Sequence, residues 1–384
     1  MAFPRTAFAT PALSGGVTRL GIQGFRNYSQ LSLETKADQI ILTGANGIGK
    51  TNLLEAVSLF APGKGLRGAS ALEWRKANDP NAWRLSVQLE GGDRLITGAP
   101  QDKPDAQRRQ IVHENVALSS QAELADYLAI VWLTPQMDGL FLSDAAARRK
   151  FVDRLVYAVH PEHATHLARY EHGLRQRNKL LKDKASNELI RAFHPVLAAE
   201  GVIIAALRLE TTERLNRALD QMQTRFPLPE LFWQGDIEAL LQSQSAVHVE
   251  QIYRDRLDQV IDQDRIIGQT RLGVHRSDVT VINRQKKMAA HQCSTGEQKA
   301  LLLSLVLAHA QWLKTIEPQR PLILLLDEVT AHFDVERRQD MFDWVTSIPA
   351  QTWFTGTDAE MFAPIMDRAL HYALPFSGSD NSTS

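Results

Sequence analysis

Eight consecutive residues constrain this chain more than any others: Gly44-Ala45-Asn46-Gly47-Ile48-Gly49-Lys50-Thr51. They follow the apolar run Ile40-Ile41-Leu42, and after them Leu53, Leu54, Val57 and Phe60 recur at helical spacing until Pro62-Gly63. The pattern G-x-x-x-x-G-K-[ST] between a buried strand and a helix predicts a phosphate-binding loop. Its glycines let backbone N–H groups turn towards phosphate oxygens, and the helix N-terminus adds positive potential. Gly44, Ala45, Asn46, Gly47, Ile48, Gly49, Lys50 and Thr51 are therefore the candidate ATP-binding loop, with Lys50 reaching the terminal phosphates and Thr51 ligating Mg2+. A mere glycine-rich turn with a solvated lysine would not require the flanking strand and helix.

A second run, Leu322-Ile323-Leu324-Leu325-Leu326-Asp327-Glu328, reads as a buried strand ending in two acids. Adjacent residues at a strand end point opposite ways, so Asp327 is placed to hold Mg2+ and Glu328 to orient or deprotonate a water, as the catalytic carboxylate. Two acids after a strand often do no more than solvate its end. Their pairing with a phosphate-binding loop favours the chemical reading.

Around these motifs the 384-residue chain changes character twice. Residues 17–142 and 270–375 alternate strand and helix patterns, whereas residues 143–269 show repeated three-and-four apolar spacing with few prolines or glycines. The expected fold class is α/β, a domain whose two segments flank an inserted helical lobe, with tails at 1–16 and 376–384. No apolar run approaches the roughly 18 residues of a membrane span, which argues against an integral membrane protein. The lone Cys293 cannot pair internally, so a reducing, cytoplasmic setting is expected. Basic and acidic residues number 43 and 44, so any nucleic-acid surface must be local. Residues 144–184 hold ten basic against five acidic side chains, and 185–266 hold eight against thirteen. Arg148, Arg149, Lys150, Arg169, Arg175, Arg177, Lys179, Lys182 and Lys184 could track DNA phosphates, as could Lys64 and Arg67. A solvated face of an amphipathic helix pair explains the same charges.

Ser294-Thr295-Gly296-Glu297-Gln298 opens a strongly apolar stretch 33 residues before Asp327. Ser294 and Glu297 match a capping box with which any helix could begin. The run also resembles the signature of ABC-type ATPases, in which the serine and glycine contact the γ-phosphate held by a partner subunit. Phe25-Arg26-Asn27-Tyr28 resembles a motif of RecF and SMC-type ATPases. The runs Ala146 to Asp153, Arg177 to Lys182, Gly273 to Asp278 and Gln298-Lys299 resemble the motif series of the RecF family, in order over Val17 to Phe362.

That resemblance implies a P-loop ABC-type ATPase head, ATP and Mg2+ as ligands, and ATP-dependent head-to-tail dimerisation that puts Ser294 and Gly296 at the partner's nucleotide. It implies DNA as a partner, duplex, single-stranded or junction, and joint action with RecO and RecR to load RecA at gaps in repair and replication. By motif position, Ala331-His332-Phe333-Asp334 resembles the D-loop, and Gln136 the Q-loop position. Transporter ATPases carry a histidine after the strand following the acid pair, where this chain reads Phe354-Thr355-Gly356-Thr357-Asp358. Neither His309 nor His332 is assigned that task. Slow hydrolysis is expected, with Thr355 and Thr357 both open as γ-phosphate sensors. A transporter subunit, an SMC-type structural ATPase and a nuclease fusion fit less well: the insertion is long, coiled-coil arms are missing, and only 57 residues follow Asp327.

Overall fold

The computed structural model describes residues 15–331 and 333–375. The expected tails, except Gly15 and Gly16, and His332 of the D-loop-like run lie outside the described residues. In chain order the first segment contains β1 (Val17–Phe25), β2 (Tyr28–Glu34), β3 (Gln39–Thr43), α1 (Lys50–Ser58), α2 (Ala71–Trp74), β4 (Arg84–Leu89), β5 (Arg94–Gly98), β6 (Gln110–His113), β7 (Val116–Ala117) and β8 (Ala129–Leu133). Then come α3 (Ala145–Val159), α4 (His163–Lys182), α5 (Asn187–Arg191), α6 (His194–Asp220), β9 (Pro229–Gln234), α7 (Asp236–Leu241), α8 (Ala246–Gln259), α9 (Ile261–Ile267), β10 (Asp278–Asn283), β11 (Met288–Ala289) and α10 (Thr295–Ile316). The chain closes with β12 (Leu322–Leu326), α11 (Val335–Ser347), β13 (Gln351–Gly356) and β14 (Leu370–Ala373).

Two compact units result among the described residues, one of residues 15–135 with 314–331 and 333–375 and one of residues 136–313. These divisions differ from the limits at 143 and 269 expected from composition. The reason is pairing: β10 is antiparallel to β9 over six residue pairs, which ties residues 278–283 to the middle segment. β9 lies within the stretch whose spacing predicts helices, and Pro227 before it with Pro229 at its first position hides its alternation.

The first unit carries a parallel sheet in the order β14-β3-β13-β12-β8 and an antiparallel one in the order β2-β1-β4-β5-β6-β7. All five residues of each of β3, β8 and β12 are buried, the pattern of strands covered on both faces. That order puts β13 between the strand feeding the phosphate-binding loop and the strand feeding the acid pair. The carboxyl ends of β3, β13 and β12 therefore meet at one sheet edge, where ligands of open α/β sheets bind.

The middle unit is built around α6. The stretch Asn187–Asp220 is long and apolar enough to cross a membrane by length and composition, but its apolar side is used in a protein core. Leu197, Ala198, Val202, Ile204 and Ala205 pack with Tyr170, Val249, Tyr253 and Leu257. A buried polar network runs through the same core. Arg208 grips Asp153 at 2.7 and 2.8 Å and donates to the Val274 carbonyl, and Arg177 donates to Asp264 and Thr270. Tyr170 Oη lies 2.9 Å from Tyr253 Oη and 2.8 Å from His275 Nδ1. A Cβ at residue 273 would fall 1.8 Å from Tyr253 Oη, at φ +130°, so only glycine lets the backbone pass these hydroxyls.

His275 gives a pH prediction. The Thr270 carbonyl 3.0 Å from Nε2 can only accept, which puts the proton of the neutral ring on Nε2 and leaves Nδ1 to accept from Tyr170. Burial pushes the His275 pKa down to about 4, and burial with the nearby Arg177 charge does the same for His194. Both rings are lowered bases, so their stabilisation is complete above the ordinary histidine value of about 6.5 and is lost as pH falls towards about 4. Urea midpoints should drop across that window, less steeply in His275→Gln. Equal slopes in the two proteins would show that His275 does not titrate on unfolding.

A phosphate-binding loop, an acid pair and a basic lobe

Gly49 shows why the loop takes its shape. Its φ is +118°, and a Cβ would sit 2.5 Å from Asn27 Nδ2 and 2.7 Å from Tyr28 Oη. Asn27 donates to the Ile48 carbonyl at 3.0 Å, Tyr28 to the Gly49 carbonyl at 3.2 Å, and Asn52 to Asn27 Oδ1 at 2.7 Å. The Phe-Arg-Asn-Tyr run is thus a brace on the loop backbone. Its arginine, Arg26, forks onto Glu55 of α1 at 2.8 and 2.6 Å, and Arg67 reaches the same carboxylate at 3.1 Å. Glu55, fully buried, was not among the site residues expected from sequence. An acid set among Leu53, Leu54 and Val57 was the available signal, but its partners lie too far away in the chain to be read.

Lys50 is buried, and its ammonium donates to the Gly44 and Ala45 carbonyls at 2.6 and 3.0 Å. Thr51 Oγ1 donates to the Asp327 carboxylate, 3.0 Å from Oδ1 and 3.1 Å from Oδ2. The strand order brings these residues together from 276 positions apart. Burial raises the Asp327 pKa, against the lowering effect of bonds from Thr355 and Thr51. A buried carboxylate beside a hydroxyl is a hard-oxygen donor pair whose charge a divalent cation would stabilise, so the residues fit Mg2+. No group of three or more His, Cys, Asp or Glu suited to a metal occurs among the described residues.

Glu328 has φ +50°, the left-handed region that side chains rarely adopt, and such strain concentrates at functional positions. Its N–H donates to Thr355 Oγ1 at 2.9 Å, and Thr355 Oγ1 donates to Asp327 Oδ1 at 2.7 Å. Thr355 is fully buried and Thr357 is exposed.

In the middle unit, Ser294 Oγ and N lie 3.0 and 3.1 Å from Glu297 Oε2, and Glu297 N lies 3.4 Å from Ser294 Oγ, so the capping box is formed. Ser294 is nevertheless exposed, and a Cβ at Gly296 would meet no atom within 4 Å. Gln136 is exposed, and its strand-end neighbour Thr134 is buried. His309 is a core residue bonded to the Leu155 carbonyl.

The candidate DNA contacts divide sharply. Arg177 is fully buried against Asp264, Thr270 and His194, and this corrects its expected contact with phosphate. A guanidinium held by a buried carboxylate is not available to a ligand. Arg148 forks onto Asp278 at 2.8 and 2.7 Å, and Arg149 donates to the Ser277 carbonyl at 2.6 Å, so both are occupied within the fold. The run Ala146 to Asp153 is therefore joined to the run Gly273 to Asp278, and Asn178 of the run Arg177 to Lys182 accepts from Thr270 N and Oγ1. Lys150, Arg169, Arg175, Lys179, Lys182 and Lys184 remain exposed. Arg175, Lys179 and Lys182 follow i, i+4, i+7 spacing on α4 and share one face.

No family model matches the chain. It is 39% identical over 359 residues to the DNA replication and repair protein RecF of Mesorhizobium japonicum, covering 92% of this chain and 94% of that one. It is 40% identical over 359 residues to the same-named protein of Allorhizobium ampelinum, covering 92% and 95%. A solved structure of the recombination mediator protein RecF-ATP in the RecFOR pathway superposes with a TM-score of 0.78 at 21% identity, covering 91% of this chain and 94% of that chain. The fold is accordingly the α/β P-loop ABC-type ATPase head with an inserted helical lobe. With identity near two residues in five sustained over more than nine-tenths of both chains, this chain belongs to the RecF family.

Proposed function

We propose that this protein is an ATP-switched DNA-binding factor of recombinational repair and replication-fork maintenance. The observation that carries the reading is the meeting of Lys50, Thr51, Asp327 and Glu328 at one edge of the parallel sheet. Lys50 and the loop amides bind the phosphates of ATP, and Thr51 and Asp327 hold Mg2+, which supplies charge neutralisation at the phosphates. Glu328 orients and deprotonates the attacking water. ATP closes two copies head to tail, with Ser294 and Gly296 of each on the other's γ-phosphate. Slow hydrolysis then resets the clamp. DNA lies along the exposed bases of the middle unit, chiefly Lys150, Arg175, Lys179 and Lys182. Membership of the RecF family supports joint action with RecO and RecR so that RecA replaces single-strand binding protein at gaps.

The test is equilibrium binding to duplex, single-stranded and gapped DNA over a salt series, with and without ATP. ATP should tighten binding, and charge reversal at Lys179 and Lys182 should flatten the log affinity against log salt slope by about 1 to 2 on duplex. Affinity indifferent to ATP would overturn the switch. An unchanged slope in the double variant would move the DNA elsewhere.

A further inference from the structure

The strand order places the end of β13 between the loop strand β3 and the acid strand β12. Thr355 pairs with Leu42 on one side, and its neighbour Phe354 pairs with Leu326 on the other. A threonine hydroxyl has one proton to give and lone pairs to receive. Here the proton goes to Asp327 Oδ1 at 2.7 Å, and a lone pair takes the Glu328 N–H at 2.9 Å. One buried oxygen thus holds the side chain of the first acid and the backbone of the second. Thr51 grips the same Asp327 carboxylate from α1, so that carboxylate is fixed between two hydroxyls on separate elements.

We propose that Thr355 is the positioning residue of the acid pair: it sets the plane of the Asp327 carboxylate for the divalent cation and, through the Glu328 N–H, the direction in which that left-handed residue presents its carboxylate to water. The proposal rests on the ATPase reading above. Glu328 at φ +50° needs a fixed anchor, because a non-glycine residue leaves that region readily once unsupported.

Thr355→Val keeps the β-branched shape of a strand residue and removes both bonds, whereas Thr355→Ser keeps both and removes a methyl. The measurements are Mn2+ binding in the presence of ATP, followed by electron paramagnetic resonance, ATP binding without metal, and turnover against Mg2+ concentration. Thr355→Val should bind metal-free ATP as wild type does, bind Mn2+ about 10- to 100-fold more weakly, and lose turnover even at saturating Mg2+. Thr355→Ser should match wild type in all three. Should the valine protein fail to fold, Thr355→Ala carries the same comparison with no steric demand. Wild-type metal affinity and turnover in Thr355→Val or its alanine substitute would overturn the positioning role, as would a serine variant equally impaired. A wild-type protein with no metal-stimulated ATP turnover would instead overturn the ATPase reading, and the role of Thr355 with it.

Discussion

Glu328→Gln should bind ATP and dimerise as wild type does while hydrolysing it at least about 100-fold more slowly, the loss expected when a general base is removed. The substitution keeps the side-chain shape and leaves Thr51, Asp327 and Thr355 untouched. Its backbone anchor also survives, because the bond to Thr355 is made by the N–H of residue 328 and not by its side chain. The variant therefore separates proton transfer from phosphate and metal binding. Trapped in the ATP state, it should hold DNA at salt concentrations that release wild type after turnover. ATP hydrolysis near the wild-type rate would show that Glu328 is not the catalytic carboxylate and would leave its left-handed backbone without a chemical reason.

The contrast between Glu328 and Thr355 shows where sequence is informative. The phosphate-binding loop and acid pair are legible because their chemistry needs particular residue types at fixed local spacing, and each directly follows an apolar run that forms a buried strand. α1, α10 and the strands β3, β8 and β12 are legible from their apolar runs, since burial on both faces leaves such a signature in a strand, whereas β13 shows only Trp353-Phe354. Which strands are neighbours is not written locally. Thr355 sits beside Asp327 only because β13 lies between β3 and β12, and nothing within ten residues of Thr355 encodes that. Charge suffers the same limit: Arg177 and Lys179 look alike in sequence, yet one faces the core and Asp264 while the other faces solvent. Net charge finds the basic segment but cannot say which of its bases are already engaged.

Ser294→Arg should leave nucleotide binding intact and abolish ATP-driven dimerisation. The two uses of Ser294 make different demands. As a helix cap it bonds Glu297, and losing a cap costs about 1 kcal/mol, a small drop in melting temperature with assembly unchanged. As a contact to a phosphate on a second copy it must remain small and uncharged, and the exposure of Ser294 with the open space beside Gly296 is what such a contact requires. Lys50→Ala has the complementary defect, because it removes the loop cation while its own Ser294 stays intact. A mixed dimer of the two variants holds one composite site with both defects and one with neither, so mixing should restore part of the ATPase activity that each lacks alone, provided one intact site suffices for association. The trans arrangement is needed for that restoration, since sites completed within one chain would each retain one defect. Sedimentation with ATP and Mg2+ decides the first point and turnover of the mixture the second. A Ser294→Arg protein that dimerises normally, or a mixture as inactive as its parts, would remove the signature from the partner's nucleotide and leave the capping box as its whole role.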